Sequence, residues 1–406
     1  MTGIPFSRNH QQEDVLAASK QTANAASQEH EEFHDDIIYP AAIPFVLVHL
    51  AAFAAIWSGV TAGALVACVV LYVVRMFGVT AGYHRYFSHR TFKTSRVGQF
   101  LLAFLAQSSA QRGILWWAAK HRHHHKHSDT EEDIHSPRQR GFLYSHVGWI
   151  FKRDQTVTDL AAVPDLTKYP ELVWLDRHPY VPATVLGFAC FLLGGWSGLV
   201  VGFVWSTVLL YHGTFFINSL AHVHGNQRYV TGDDSRNNWW LAVITLGEGW
   251  HNNHHAYQRS TRQGFRWYEV DPTFYVLTVM AWVRLVSDLG APPADVVHNE
   301  RRLGRAVVEK VARQLAASFP VDAIAHRVHE AALQVQHMHP IDDARERRAH
   351  AVAELQHMHL PTTAEIRAAA ERMLASTPSM DEIVARARDL IAELVTARVL
   401  PELAPG

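Results

Sequence analysis

Two long stretches, 41–74 and 178–222, carry no lysine or arginine, and they constrain the fold more than anything else in the chain. About 20 apolar residues make one bilayer crossing, so each stretch is long enough to cross twice. The first has a turning point at Ser58-Gly59 and the second at Gly194-Gly195-Trp196-Ser197-Gly198. Hydrocarbon offers the backbone no water, so such stretches must satisfy their own hydrogen bonds as helices. The expected fold is all-α and integral to the membrane. Four transmembrane helices in two hairpins span about 41–58, 60–80, 180–196 and 199–221, beneath a cytosolic helical cap. Basic residues avoid both turns, which by the positive-inside rule places both termini and the segment between the hairpins in the cytoplasm.

The remaining stretches fit around that frame. Residues 1–36 are polar and lack the basic-then-apolar layout of a signal peptide, so they read as a disordered N-terminus and the spans insert as internal segments. Residues 37–290 form the membrane domain. The apolar piece Phe100–Ala106 is too short to cross and reads as a surface or re-entrant helix; if it crossed, the histidine runs would face opposite compartments. The Trp-containing run in 266–289, broken by Arg284, reads as an interfacial helix rather than a fifth span. Residues 291–406 turn to Ala, Arg, Glu, Val and Leu at helical spacing, interrupted near Pro320, Pro340, Pro361 and Pro378. They predict four or five amphipathic helices in a soluble appendix, with capping boxes at Thr362-x-x-Glu365 and Ser379-x-x-Glu382. A formal net charge of −1 gives no reason to expect nucleic acid, and Cys68 and Cys190 sit in apolar runs as small buried side chains.

The 28 histidines are clustered. His121-x-x-His124-His125 and His251-x-x-His254-His255 place imidazoles at i, i+3 and i+4, on one helix face where they can converge on a metal. His84 and His89 are five apart, about 140° on a continuous α-helix, so they share an ion only if the helix ends or bends between them. His222 follows the fourth span with Asn218 one turn earlier, setting a ligand beside an amide able to hold water. This is more imidazole than one ion needs, so the site reads as dinuclear; imidazole suits Fe, Cu, Zn and Ni. Glu248, Asp129 and Asp233 are candidates to orient imidazole N–H groups from behind. His123 and His127 point away, while His49, His146, His212 and His224 read as interfacial or hydrogen-bonded side chains. Gln336-His-Met-His339 recurs at Gln356-His-Met-His359 and reads as a degenerate helical repeat. Tyr72, Met76, Thr80 and His84 recur every four residues as one stripe on the second span.

His84-Arg-Tyr-Phe-Ser-His89, His121-Arg-x-His124-His125 and Gly247-Glu-Gly-Trp-His251-Asn-Asn-His254-His255 resemble the three histidine boxes of membrane fatty-acid desaturases. The likeness is to the Δ9, stearoyl-CoA-type branch. Asn218-Ser-x-x-His222 and Asp233-Asp-Ser-Arg-Asn237 agree with it, and it covers roughly residues 40–290. The resemblance implies two Fe ions held by His84, His89, His121, His124, His125, His222, His251, His254 and His255, with Asn218 holding a metal-bound water. It implies that O₂ and two external electrons remove two hydrogens from a saturated acyl chain, giving a cis double bond and water. It also implies a substrate tunnel kinked at Trp117 and Thr214 and faced by Tyr72 and Met76, with Met76 shortening its methyl end.

Acyl-CoA is the first expectation for the substrate, ahead of phospholipid or acyl-carrier protein. Animal relatives carry Arg-Asp before the second box, whereas this chain has Ala119-Lys120, which alters the contacts open to a CoA headgroup. No His-Pro-Gly-Gly haem motif is present, so no fused haem or flavin is expected. Electrons are expected from a separate ferredoxin, cytochrome b5-type donor or NAD(P)H reductase. Two rival functions remain. A lipid or alkane hydroxylase would use the same metal core, and a membrane metal transporter would place its ligands near the midplane instead.

Overall fold

The turn residues of the two apolar stretches decide the architecture. The structure, a computed structural model, describes residues 43–336 and 360–403. The polar 1–36 stretch and all but the first residue of the Gln-His-Met-His pair lie outside those residues. The chain is mostly helical. Helix Ile43–Ala52 is followed by a short turn of helix, Ala55–Ser58, before Gly59 (φ 71°) reverses the chain into Ala62–Phe77. Two apolar runs, Ala62–Ser88 and Val181–His222, have the length and composition to cross a membrane. The second is folded on itself: Gly195 adopts φ 59°, ψ −153°, open to glycine and strained for any other residue. A side chain at Gly187 would lie 3.2 Å from the Phe203 ring, though residues that far apart on a straight helix stand ~24 Å apart. Residues 181–197 and 198–219 are therefore an antiparallel pair. The Thr61 N–H donates to Ser197 Oγ at 3.3 Å, so both reversals sit at one end of the molecule. Apolar side chains cover the outside of these rods, Trp57 (82% exposed) and Leu193 (90%) among them.

Arg75, inside helix 62–77, is fully buried, with no carboxylate among the described residues paired to it. Its Nε donates to the Leu71 carbonyl, its Nη1 to Ser108 O and Thr207 Oγ1 (2.8 Å), and its Nη2 to Phe203 O and Ser206 Oγ (2.5 Å). A buried cation is tolerated only when every donor finds an acceptor. Here that requirement ties three segments together at one point.

The remaining helices pack at the far end from the two turns. Helix Arg96–Gln107 lies against Gly78 and Gly82, where an added Cβ would stand 2.9 Å from Leu105 and 3.1 Å from Ala106. Helix Ile114–His127 has no side-chain cap of its own. Its first N–H groups are taken by neighbours: Gln107 Oε1 accepts from Ile114 (3.1 Å), and Asp176 Oδ1 from Leu115 (2.9 Å) and Trp116 (3.0 Å). Pro272–Trp282 has 11 residues, about 16 Å, half of a ~30 Å hydrocarbon core. It presents Tyr275, Val276, Val279 and Trp282 outward.

The C-terminal helices Arg305–Ala317, Val321–Gln336, Thr363–Met373 and Met380–Leu403 bury a core of their own, which also takes in Val230. The Thr362–Glu365 capping box forms. At the second predicted box Ser379 Oγ accepts from the Leu303 N–H, and Glu382 pairs with Arg302. A tertiary contact has taken up the capping hydroxyl.

Candidate metal centre

Helix 62–77 runs without interruption into wider, π-helical winding over Gly78–Ser88. The His89 N–H donates to the His84 carbonyl at 3.2 Å, an i→i+5 bond. That ladder sets residues five apart on the same side, and the His84 and His89 ring centroids are 4.9 Å apart. The expected end of the helix falls between them, at Ser88, but the widened turn makes the larger adjustment. Arg122 fastens the open end, donating to Phe87 O (2.9 Å) and Ser88 O (3.0 Å) while pairing with Asp165 (2.7 Å).

The two histidine trios do not each converge on one point, which corrects the simple one-face expectation. His84, His89, His121, His125 and His254 form one group; His124, His222, His251 and His255 form another, with the candidate ligand atoms of each group within 4.8 Å of one another. On a helix, residues i and i+4 lie about 40° apart, while i+3 is displaced about 60° to the other side. Each helix therefore gives its i, i+4 pair to one group and its i+3 residue to the other. His121 and His125 stay together and release His124; His251 and His255 stay together and release His254.

Within the groups Nε2 faces Nε2. The separations are 3.0 Å for His84–His254, 2.9 Å for His254–His125, 3.0 Å for His125–His121 and 2.9 Å for His121–His89. In the second group His251 lies 3.1 Å from both His222 and His255. The opposite nitrogens fix the tautomers. Nδ1 of His222 donates to Asp129 (2.9 Å), of His255 to Asp233 (2.8 Å), of His124 to Asp133 (3.0 Å) and of His84 to Glu248 (2.5 Å). In its neutral form each of these four rings turns an Nε2 lone pair toward its neighbours. Buried lone pairs aimed at one another repel unless a cation stands among them. Two ligands at ~2.1 Å and right angles are ~3 Å apart, the spacing seen here. The residues fit two metal ions.

Burial, and then repulsion among neighbouring imidazoles, holds His89, His121, His125, His251 and His254 well below the ordinary imidazole range, so they are neutral and able to ligate. Burial alone would raise the carboxyls behind them. His222, His124 and His255 outweigh it and keep Asp129, Asp133 and Asp233 ionised far below the usual carboxylate range. Glu248 is held down likewise by His84 and by Arg85, whose buried guanidinium also pairs with Asp271 at 3.0 Å. Sequence reasoning named Glu248, Asp129 and Asp233 but missed Asp133, which lies in the same loop as Asp129. It also missed His135, whose ring centroid lies 4.5 Å from that of His124.

A cavity opens beside the first group. Its lining includes His121, Trp117, Thr214 and Asn218, the basic residues Arg112 and Lys120, and at its far end Ala110, Tyr180 and Tyr211. The Gln111 amide donates to Thr214 Oγ1 at 3.0 Å across it. Tyr72 and Met76 are not in this lining. They pack behind it against Gly213, where a Cβ would stand 2.8 Å from Tyr72 Oη and 3.0 Å from Met76 Cε. The Tyr72 hydroxyl donates to the Ile244 carbonyl (2.7 Å). His123 and His127 pair with Glu132 outside both groups. His49, His212 and His146 form a hydrogen-bonded chain of their own, at 3.2 and 3.0 Å.

The family model described as fatty acid desaturase matches residues 59–281. The chain is 36% identical over 236 residues to an acyl-CoA 5-desaturase of Anemone leveillei, covering 56% of this chain and 71% of that one. It is 35% identical over 238 residues to an sn-1 stearoyl-lipid 9-desaturase of Synechocystis sp., covering 57% and 73%. It is 37% identical over 249 residues to Delta-9 acyl-lipid desaturase 2 of Arabidopsis thaliana, covering 61% and 79%.

Proposed function

The chain belongs to the fatty acid desaturase family of oxidoreductases, and from that premise we propose that it introduces a cis double bond, at Δ9, into a saturated fatty acyl chain. The observation that carries this reading is the meeting of nine buried or half-buried imidazoles in two groups beside a largely apolar cavity. His84, His89, His121, His125 and His254 would hold one iron, and His124, His222, His251 and His255 the other, with Asn218 placing a water. When bound, the iron pair supplies the power to reduce O₂ with two external electrons and to take two hydrogens from neighbouring carbons.

The chain's own residues do the positioning. Asp129, Asp133, Asp233 and Glu248 hold ring nitrogens so that lone pairs face inward. Trp117, stacked 4.9 Å from His121, and Thr214, steered by Gln111, shape the bend that presents two adjacent methylenes and excludes water. Met76 and Tyr72, one layer behind, limit how far that wall can recede. Arg112 and Lys120 suit an anionic acyl carrier, for which acyl-CoA is proposed. The four apolar rods cross the membrane with both reversals on the side away from the metals, and the centre and C-terminal helices face the cytoplasm. A soluble ferredoxin, cytochrome b5-type donor or reductase docks there.

The test is expression in a host lacking unsaturated fatty acids, with gas chromatography and mass spectrometry of its lipids. A cis-monounsaturated chain is expected. Gain of oxygen without loss of two hydrogens, from metal-loaded protein, would overturn the reading.

A further inference from the structure

Helix 305–317 lies beyond the stretch matched by the family model, yet it reaches the loops behind one of the two imidazole groups. Gln314 Nε2 donates to the Gly232 carbonyl at 3.1 Å, and Lys310 Nζ donates to the Ser128 carbonyl. Gly232 has φ +79°, and the Lys310 stem packs 3.3 Å from where its Cβ would stand. Val311 shares a buried core with Val230 on the same loop. The two carbonyls belong to the peptide bonds that lead into Asp129 and Asp233. These are the carboxylates on His222 and His255. Asp129 has φ 59°, a strained conformation outside glycine that persists only where surrounding contacts enforce it.

The loops are meshed with one another as well. The Asp234 N–H donates to Asp129 Oδ2 (2.8 Å), and the Asp129 N–H to Asp133 Oδ2 (2.8 Å), the carboxylate on His124. Three of the four imidazoles in that group are thus oriented by one acidic mesh. The carboxylate on the other group, Glu248, is instead held by Arg85.

We propose that helix 305–317 is a positioning element for one metal of the pair. Through Lys310 and Gln314 it fixes the loops whose carboxylates orient His124, His222 and His255, and so sets how tightly that ion is kept. The proposal rests on the di-metal reading above.

The experiment uses the full chain, purified in detergent and loaded with ferrous iron under anaerobic conditions. Iron release to a coloured chelator is then followed in time and counted per chain. Lys310→Met keeps the packed stem and loses the ammonium; Gln314→Leu removes the other bond. In the double variant one iron per chain should leave about tenfold faster, the low end of the effect of losing an orienting partner, while the other leaves at the wild-type rate. Lys310→Arg, which restores a donor, should return the rate toward wild type. If the double variant loses helicity by circular dichroism, the Gln314→Leu single variant carries the same test with a smaller acceleration. Unchanged release, or equal acceleration of both irons, overturns the proposal while leaving the di-metal reading intact. A wild-type chain that retains fewer than two irons brings down both.

Discussion

Tyr211 stands between the cavity beside the metal centre and an apolar groove that opens among Pro44, Val48, Phe188 and Leu199; Ala110, Tyr180 and Tyr211 belong to both walls. Its hydroxyl donates to the Ala110 carbonyl at 3.0 Å, and its ring stacks on Phe215 with centroids 5.8 Å apart. It lies two helical turns, about 10 Å, further from the metal end than Asn218. Tyr211→Leu should open this partition and admit about two more methylenes. At ~0.8 kcal/mol per buried methylene that is ~1.6 kcal/mol, or about fifteenfold in the ratio of kcat/KM for a chain two carbons longer. Tyr211→Phe keeps the ring and loses only the hydrogen bond, about 1 kcal/mol of stability, and should leave the ratio near wild type. Pairs of acyl chains differing by two carbons, supplied in competition and read as product ratios by mass spectrometry, give the number. A folded Leu variant with the wild-type ratio would refute Tyr211 as the stop.

Met76→Ala clears space against Gly213 and should shift the products toward longer chains, at a cost of about 2–5 kcal/mol in stability; an unchanged profile reduces Met76 to packing. Asp176→Ala strips the N–H groups of Leu115 and Trp116 of their acceptor and should lower stability by about 1–2 kcal/mol, seen as a lower Tm; no change would mean that water caps the helix equally well. Asp165 is raised by burial but held down to about 2 by Arg122 and Arg90. A depressed carboxyl adds stability that is full above its unfolded value near ~3.9 and fades as pH falls through about 2. Asp165→Asn should therefore cost up to ~1 kcal/mol at pH 7, since the pair is partly exposed, and nothing below pH 2 in thermal denaturation; a pH-independent cost would contradict this.

The spacing of the histidines and the turn residues of the apolar stretches made much of this legible. Periodicity picked out the two histidine trios, while His84, His89 and His222 came from position and from the likeness to the histidine boxes; the structure brings all nine imidazoles into two groups, and Gly59 and Gly195 reverse the chain where the sequence marks turns. Periodicity could not divide a trio between two ions. That depends on how two helices approach each other, which spacing within one helix does not encode. The π-helical winding was hidden for a related reason. An α-helical wheel assumes 100° per residue, and the close approach of helix 96–107 to Gly78 and Gly82 is a tertiary fact. Asp129 and Asp233 were named as candidates, but nothing in the spacing of the 128–136 loop singles out Asp133 as a further carboxylate behind a ring. The contact of Lys310 and Gln314 with loops 182 and 82 residues earlier has no local signature at all.

The central claim is that two ions share this ring of imidazoles. Iron counted per chain on the purified, anaerobically loaded protein, with X-ray absorption on the same sample, tests it. The expected result is two irons per chain bound chiefly by imidazole nitrogen. A plateau at one iron, or two irons bound mainly through carboxylate oxygen, would contradict the account.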